Sequence, residues 1–129
     1  MSVKYNIVER KNPLDNKAPS KFYASAKADG EINLKAIAKE ISGGSTTVSD
    51  TDVLAVINDL IKAIARHLIN GEIVKLGDFG TFRITLSSEG VESIEKVNTS
   101  VIKNSKINFR PGEDLRDMLR NVKYEKYKK

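Results

Sequence analysis

The side chains of this 129-residue sequence best placed to do chemistry are cations, and the first three are Arg83, Lys106 and Arg110. Each sits in a stretch where polar and apolar residues alternate, and alternation sends successive side chains to opposite faces of a strand. Over Thr81 to Leu86, Thr81, Arg83 and Thr85 share one face while Phe82, Ile84 and Leu86 share the other. Over Lys106 to Arg110, Lys106, Asn108 and Arg110 oppose Ile107 and Phe109. Cations on a wet strand face, flanked by Lys75, Lys96 and Lys103, make an electrostatic surface suited to phosphates rather than a reaction centre.

Other chemistry has little to work with. The sequence has no cysteine, which removes disulfides, thiolate metal sites and cysteine nucleophiles together, and fits a reducing compartment. Its one histidine, His67, lies near the end of a helical stretch with no partner at metal-ligand or general-base spacing, and is expected to be a boundary residue. Ser87, Ser88 and the scattered carboxylates form no nucleophile-base arrangement, and the glycines fit no phosphate-binding loop. The sequence predicts no enzyme activity, no cofactor, no metal and no small-molecule substrate. No apolar run approaches a membrane span and the first ten residues lack the apolar block of a signal peptide, so a cytoplasmic protein without a membrane partner is expected.

Charge placement says more than the net +5. Residues 1–30 carry six basic and three acidic side chains, residues 31–82 five and seven, residues 83–110 five and three, and residues 111–129 six and four. The helical half is acidic and the remainder basic, which suits a polyanionic partner approached from one side.

Several elements must position the cations. Val3, Tyr5 and Ile7 alternate with polar residues, as do Phe22, Ala24, Ala26 and Ala28, predicting two strands joined by a loop over Arg10 to Ser20 that holds Pro13 and Pro19. This wide hairpin is expected to add strands on or beside the later sheet. Leu34, Ile37, Ala38 and Ile41 then fall at helical spacing and stop at Ser42-Gly43-Gly44. Ser49 offers an N-cap, with Asp50 and Asp52 in the first turn of a second helix that runs to Ile69 and ends at Asn70-Gly71. Beyond it, strands over Glu72 to Leu76 and Thr81 to Leu86 flank a Gly77-Asp78 turn. A third strand covers Lys106 to Arg110, and Pro111 opens a short amphipathic helix carrying Leu115, Met118 and Leu119. The second helix is apolar on too many sides: besides Ile57, Leu60 and Ile64 it carries Val53, Leu54, Val56, Ile61, Leu68 and Ile69. A helix on one sheet needs only a stripe of about 100°, so a partner subunit is the economical cover.

This order of elements, with GDFGTF at Gly77 to Phe82 and FRPGEDL at Phe109 to Leu115, resembles the HU and integration-host-factor family of bacterial histone-like DNA-binding proteins. The resemblance covers roughly Ile32 to Asn121. It implies an α+β fold forming an intertwined HU-like dimer, with two N-terminal helices, a three-stranded antiparallel sheet and a short C-terminal helix, here preceded by an extra β-hairpin. The expected organisation is a hairpin extension on the same domain over 1–30, an HU-like domain over 31–121 and a basic, frayed tail over 122–129. The resemblance also implies a dimer core of Phe79, Phe82 and Phe109 with Ile57, Leu60 and Ile64, double-stranded DNA as partner, and a place in the nucleoid.

Two departures from the family pattern stand out. The family carries an arginine-rich arm tipped by a proline that wedges between base pairs. Here Ser87 to Ser105 contains neither residue type, holds only Lys96 and Lys103, and carries Glu89, Glu92 and Glu95; Val91 to Val97 fits a short helical turn as well as an arm. The lysine usual after Pro-Gly is Glu113. The leading reading is a homodimeric, non-sequence-specific, nucleoid-associated architectural DNA-binding protein. The alternative is an HU-like structural or protein-interaction module that has lost its wrapping arm. A helix-turn-helix factor fits poorly, since the link from Ser42 to Ser49 exceeds that motif's three- or four-residue turn.

Overall fold

The computed structural model describes residues 1–15 and 17–128, which divide into two compact units. One is Leu34–Met118; the other joins Met1–Asn33 to the chain from Leu119 onward.

The larger unit opens with helix α1 (Leu34–Gly43) and helix α2 (Asp50–Ile69), which pack on each other. Both boundaries of α2 follow from local chemistry. The Ser49 hydroxyl accepts from the Asp52 amide at 3.2 Å, and Asp50 and Asp52 complement the positive end of the helix dipole. At the other end the chain turns through Gly71 at φ 81°, a conformation open to glycine. Replacing Ser49 by Ala is expected to cost about 1 kcal/mol of stability, read as a lowered urea midpoint with an unchanged slope.

The sheet of this unit orders its strands β3 (Val74–Lys75), β4 (Gly80–Ser88) and β5 (Ile102–Pro111), all antiparallel. Strand β3 is shorter than the Glu72 to Leu76 expected, because it is an edge held only by Val74 opposite Phe82 and Lys75 opposite Thr81. The β4–β5 ribbon is longer than expected, running out to Ser88 opposite Ile102 with an irregularity after Ser87. Past Ser88 the ribbon is closed by the Glu89 amide donating to the Val101 carbonyl at 2.8 Å, over two single 3-10 turns at Ile94–Lys96 and Thr99–Val101. The helical turn considered for Val91 to Val97 is therefore present as the first of these.

Strand β5 ends on Pro111, and helix α3 (Glu113–Arg120) begins two residues later. Pro111 was expected in the first helical turn; it is instead the last residue of the strand, opposite Gly80. Gly112 makes the corner. Its amide donates to the Phe79 carbonyl at 2.9 Å, and a Cβ there would run into the Asp78 backbone, so only glycine allows so close an approach.

The smaller unit holds the amino-terminal hairpin and corrects the expectation of a frayed tail. Strands β1 (Val3–Arg10) and β2 (Lys21–Lys27) pair antiparallel as the alternation predicts, but they form a separate sheet rather than extending the central one. The third strand of that sheet is β6 (Tyr124–Lys126), which lies parallel to β1. The tail expected to fray is thus held by backbone pairing, with the Val3 amide donating to Lys123 at 2.7 Å and the Tyr127 amide to Tyr5 at 2.9 Å.

Burial is sparse. Among the described residues only Ala38, Val53, Leu68 and Val101 are buried hydrophobics, while Val56 and Ile107 are each 66% exposed. The apolar face of the central sheet and the surplus face of α2 lie open.

Candidate functional site

The central sheet sorts its side chains as alternation requires. On one face, cross-strand pairs place Lys75 beside Thr81, Thr81 beside Arg110, Arg83 beside Asn108 and Thr85 beside Lys106. Arg83 therefore sits diagonally between Arg110 and Lys106, at about 7–8 Å from each along the sheet. On the other face, Phe82 lies opposite Phe109 and Ile84 opposite Ile107. Phe79, Phe82 and Phe109 form a ring cluster with centroids 4.8 to 6.2 Å apart, the Phe79–Phe109 pair edge-on at 88°. Gly80 permits this cluster: a Cβ on it would lie 2.6 Å from the Phe109 ring.

The polar face is a groove whose walls include Lys75, Arg83, Arg110 and Arg116, with Asp78 and Glu113 at the turn and helix end. Lys75, Arg83, Lys106, Arg110 and Arg116 form no ion pair among the described residues. Four of the six cations named from sequence are thus brought to one face. Arg116 was missed: it comes from α3, and its place depends on the Gly112 corner, for which a helical pattern carries no signal.

Lys96 and Lys103 are not brought to the groove. Lys96 pairs with Glu92 at 3.4 Å and Lys103 with Glu89 at 3.9 Å. By alternation from Asn104, Lys103 also falls on the opposite face of β5. Of the residues assigned to a dimer core, Phe82, Ile57 and Ile64 are half-buried and Phe79, Phe109 and Leu60 exposed. His67 is exposed and its Nδ1 lies 3.0 Å from Glu72 Oε1. Among the described residues no group of three or more His, Cys, Asp or Glu side chains is placed to hold a metal, and no helix is long and apolar enough to cross a membrane.

Two helices leading into a three-stranded sheet, cationic on one face and aromatic on the other, define an HU-like α+β protein. A family profile described as an HU domain fused to wHTH, Ig or glycine-rich motif matches residues 1–126, and the chain belongs to this HU-HIG family. The match takes in the amino-terminal hairpin and β6 as well as the stretch from Ile32 to Asn121. No curated protein matches the sequence. Among solved structures, the chain is similar to a candidate bacterial DNA-binding protein from Bacteroides vulgatus ATCC 8482, at 15% identity and a TM-score of 0.67. The alignment covers 97% of this chain and 47% of that one, so the chain spans about half the length of its structural relative. At that identity the likeness is one of fold.

Proposed function

We propose that this chain is a DNA-binding architectural protein that acts as a homodimer and contacts duplex DNA through the polar face of its central sheet, with little base readout. The observation that carries this is the set of cations without ion-pair partners, Lys75, Arg83, Lys106 and Arg110 on one sheet face of an HU-family domain and Arg116 of α3 beside them in the groove. These cations outnumber the two carboxylates of the groove, Asp78 and Glu113, and pair with neither, which leaves them open to phosphates; binding by counterion release falls steeply with salt. Titrating random-sequence duplex in a mobility assay at several salt concentrations tests it: a linear fall of log affinity with log salt is expected, and no binding at low salt overturns it.

The homodimer is supported by exposed apolar area. Val56 and Ile107 are each 66% exposed, and Phe79, Leu60, Ile61, Ile84 and Leu86 are exposed as well, on α2 and the apolar face of the central sheet. Phe79, Phe82, Phe109, Ile57, Leu60 and Ile64 lie where an apolar partner surface would be needed.

A second reading, an HU-like interaction module, is favoured by one observation: the ribbon beyond the sheet has its lysines paired with its own glutamates and presents an apolar tip, with Ile94 91% exposed. That ribbon has no arginine to hold a kinked step, and unstacking costs a few kcal/mol that wrapped contacts must offset. The expected outcome is association with nearly straight DNA. Energy transfer between the labelled ends of a short duplex checks this, since a large shortening at saturation would make the ribbon a working arm.

A further inference from the structure

The amino-terminal sheet also has two unlike faces. The β1–β2 register places Lys4 opposite Lys27, Asn6 opposite Ser25, Val8 opposite Tyr23 and Arg10 opposite Lys21, all on one face. Two of these four pairs set like charges directly across from each other, an arrangement that disfavours the strand pairing unless something negative lies between them. The Lys4–Lys27 pair is partly answered within the fold: Lys4 pairs with Asp29 at 3.7 Å and the Lys27 Nζ lies 3.4 Å from the centre of the Tyr127 ring.

The Arg10–Lys21 pair has no carboxylate partner among the described residues, and its one ring contact is looser. Arg10, Lys11 and Lys21 line a cleft at the loop end of the hairpin, together with Asn12, Pro19 and Tyr23, and among the described residues no carboxylate lines it. None of the three cations forms an ion pair among the described residues. The Arg10 guanidinium lies 6.0 Å from the centre of the Tyr23 ring, and Tyr23 is half exposed. Converging cations beside an accessible aromatic ring are what a phosphodiester chain meets in proteins that track a nucleic-acid backbone, with the ring free to stack on a base or sugar.

We propose that this cleft, built from Arg10, Lys11, Lys21 and Tyr23, is a second contact surface for the phosphodiester backbone of nucleic acid, separate from the central sheet. The kind of partner rests on the DNA-binding reading above; the residues do not. The test compares four full-length proteins: the unmodified chain, the triple variant Arg10→Gln, Lys11→Gln and Lys21→Gln, the double variant Arg83→Ala and Arg110→Ala, and all five changes combined. All five residues are exposed, and matched circular dichroism and melting points confirm that each variant is folded. Each is titrated with a duplex and with a single strand of about 20 nucleotides at several salt concentrations.

The triple variant is expected to lose on the order of tenfold in affinity and to show a salt slope shallower by about two to three units for duplex, or somewhat less for single strand. The losses of the two variants should add when combined, as expected of independent sites. Loss confined to one probe identifies the duplex or the unpaired strand as the source of the backbone. Affinity and slope in the triple variant equal to those of the unmodified chain, with both probes, overturn this proposal and leave the central-sheet reading intact. Loss in the triple variant with none in the double variant does the reverse. No binding of either probe by the unmodified chain overturns both.

Discussion

Replacing Phe82 by alanine is expected to destabilise the folded assembly by on the order of 3 to 5 kcal/mol. Phe82 touches both other members of the ring cluster, at 6.2 Å from Phe79 and 4.8 Å from Phe109, and it lies opposite Phe109 across β4 and β5. Its removal takes away apolar area and two aromatic contacts at once, each of the latter worth about 0.5 to 1.5 kcal/mol. A domain whose total stability is roughly 5 to 15 kcal/mol loses a large share of it. Because so few hydrophobic residues are buried within one chain, stability and association should be lost together. Urea unfolding at several protein concentrations, with sedimentation, separates the outcomes: the unmodified protein should unfold at a midpoint that rises with concentration, and a folded, stable monomer at micromolar concentration would contradict the dimer.

The double replacement of Arg83 and Arg110 by alanine is expected to weaken duplex binding on the order of ten- to a hundredfold at low salt, about equally for all sequences. The physical reason is that both side chains lie on the polar face without ion-pair partners, so each is free to release counterions from a phosphate. Each lost contact should make the salt slope shallower by roughly 0.9 unit, about two units for the pair. Glu113, where the resemblance to the HU and integration-host-factor pattern implies a lysine, lines the same groove; Glu113→Lys should steepen the slope by about one unit. A slope unchanged in the arginine variant would move the duplex site away from this sheet.

The parts of the fold that could be read in the sequence are those in which local chemistry and long-range packing ask for the same thing. The second helix is bounded by Ser49 and Asn70-Gly71, and its apolar residues recur at helical spacing, so nothing tertiary had to be known. The polar and apolar faces of β4 and β5 follow from simple alternation, which is why Arg83, Lys106 and Arg110 were identifiable as one face. What was hidden depends on partners distant in sequence. Ser87, Ser88 and Asn104 have weak strand preference, yet the Ser87 hydroxyl and Asn104 side chain lie 3.0 Å apart and prolong the ribbon. Tyr124-Glu125-Lys126 is too short to show a period, and only β1 makes it a strand. Lys96 and Lys103 looked like flanking cations because sequence counts charges without showing that Glu92 and Glu89 stand beside them.

The parallel pairing of β1 with β6 has a kinetic consequence. Val3 and Tyr124 are register partners, and closing a span of about 120 residues costs some 4 kcal/mol of chain entropy by the logarithmic scaling of loop closure. A three-residue strand returns only a few backbone hydrogen bonds, each worth about 0.5 to 1.5 kcal/mol net. That pairing cannot lead folding; it forms after the intervening chain has already been shortened by its own structure. By the same balance it is the first to open, so the amides of β6 should exchange with solvent well before those of β4 and β5, through a local opening that leaves the central sheet closed.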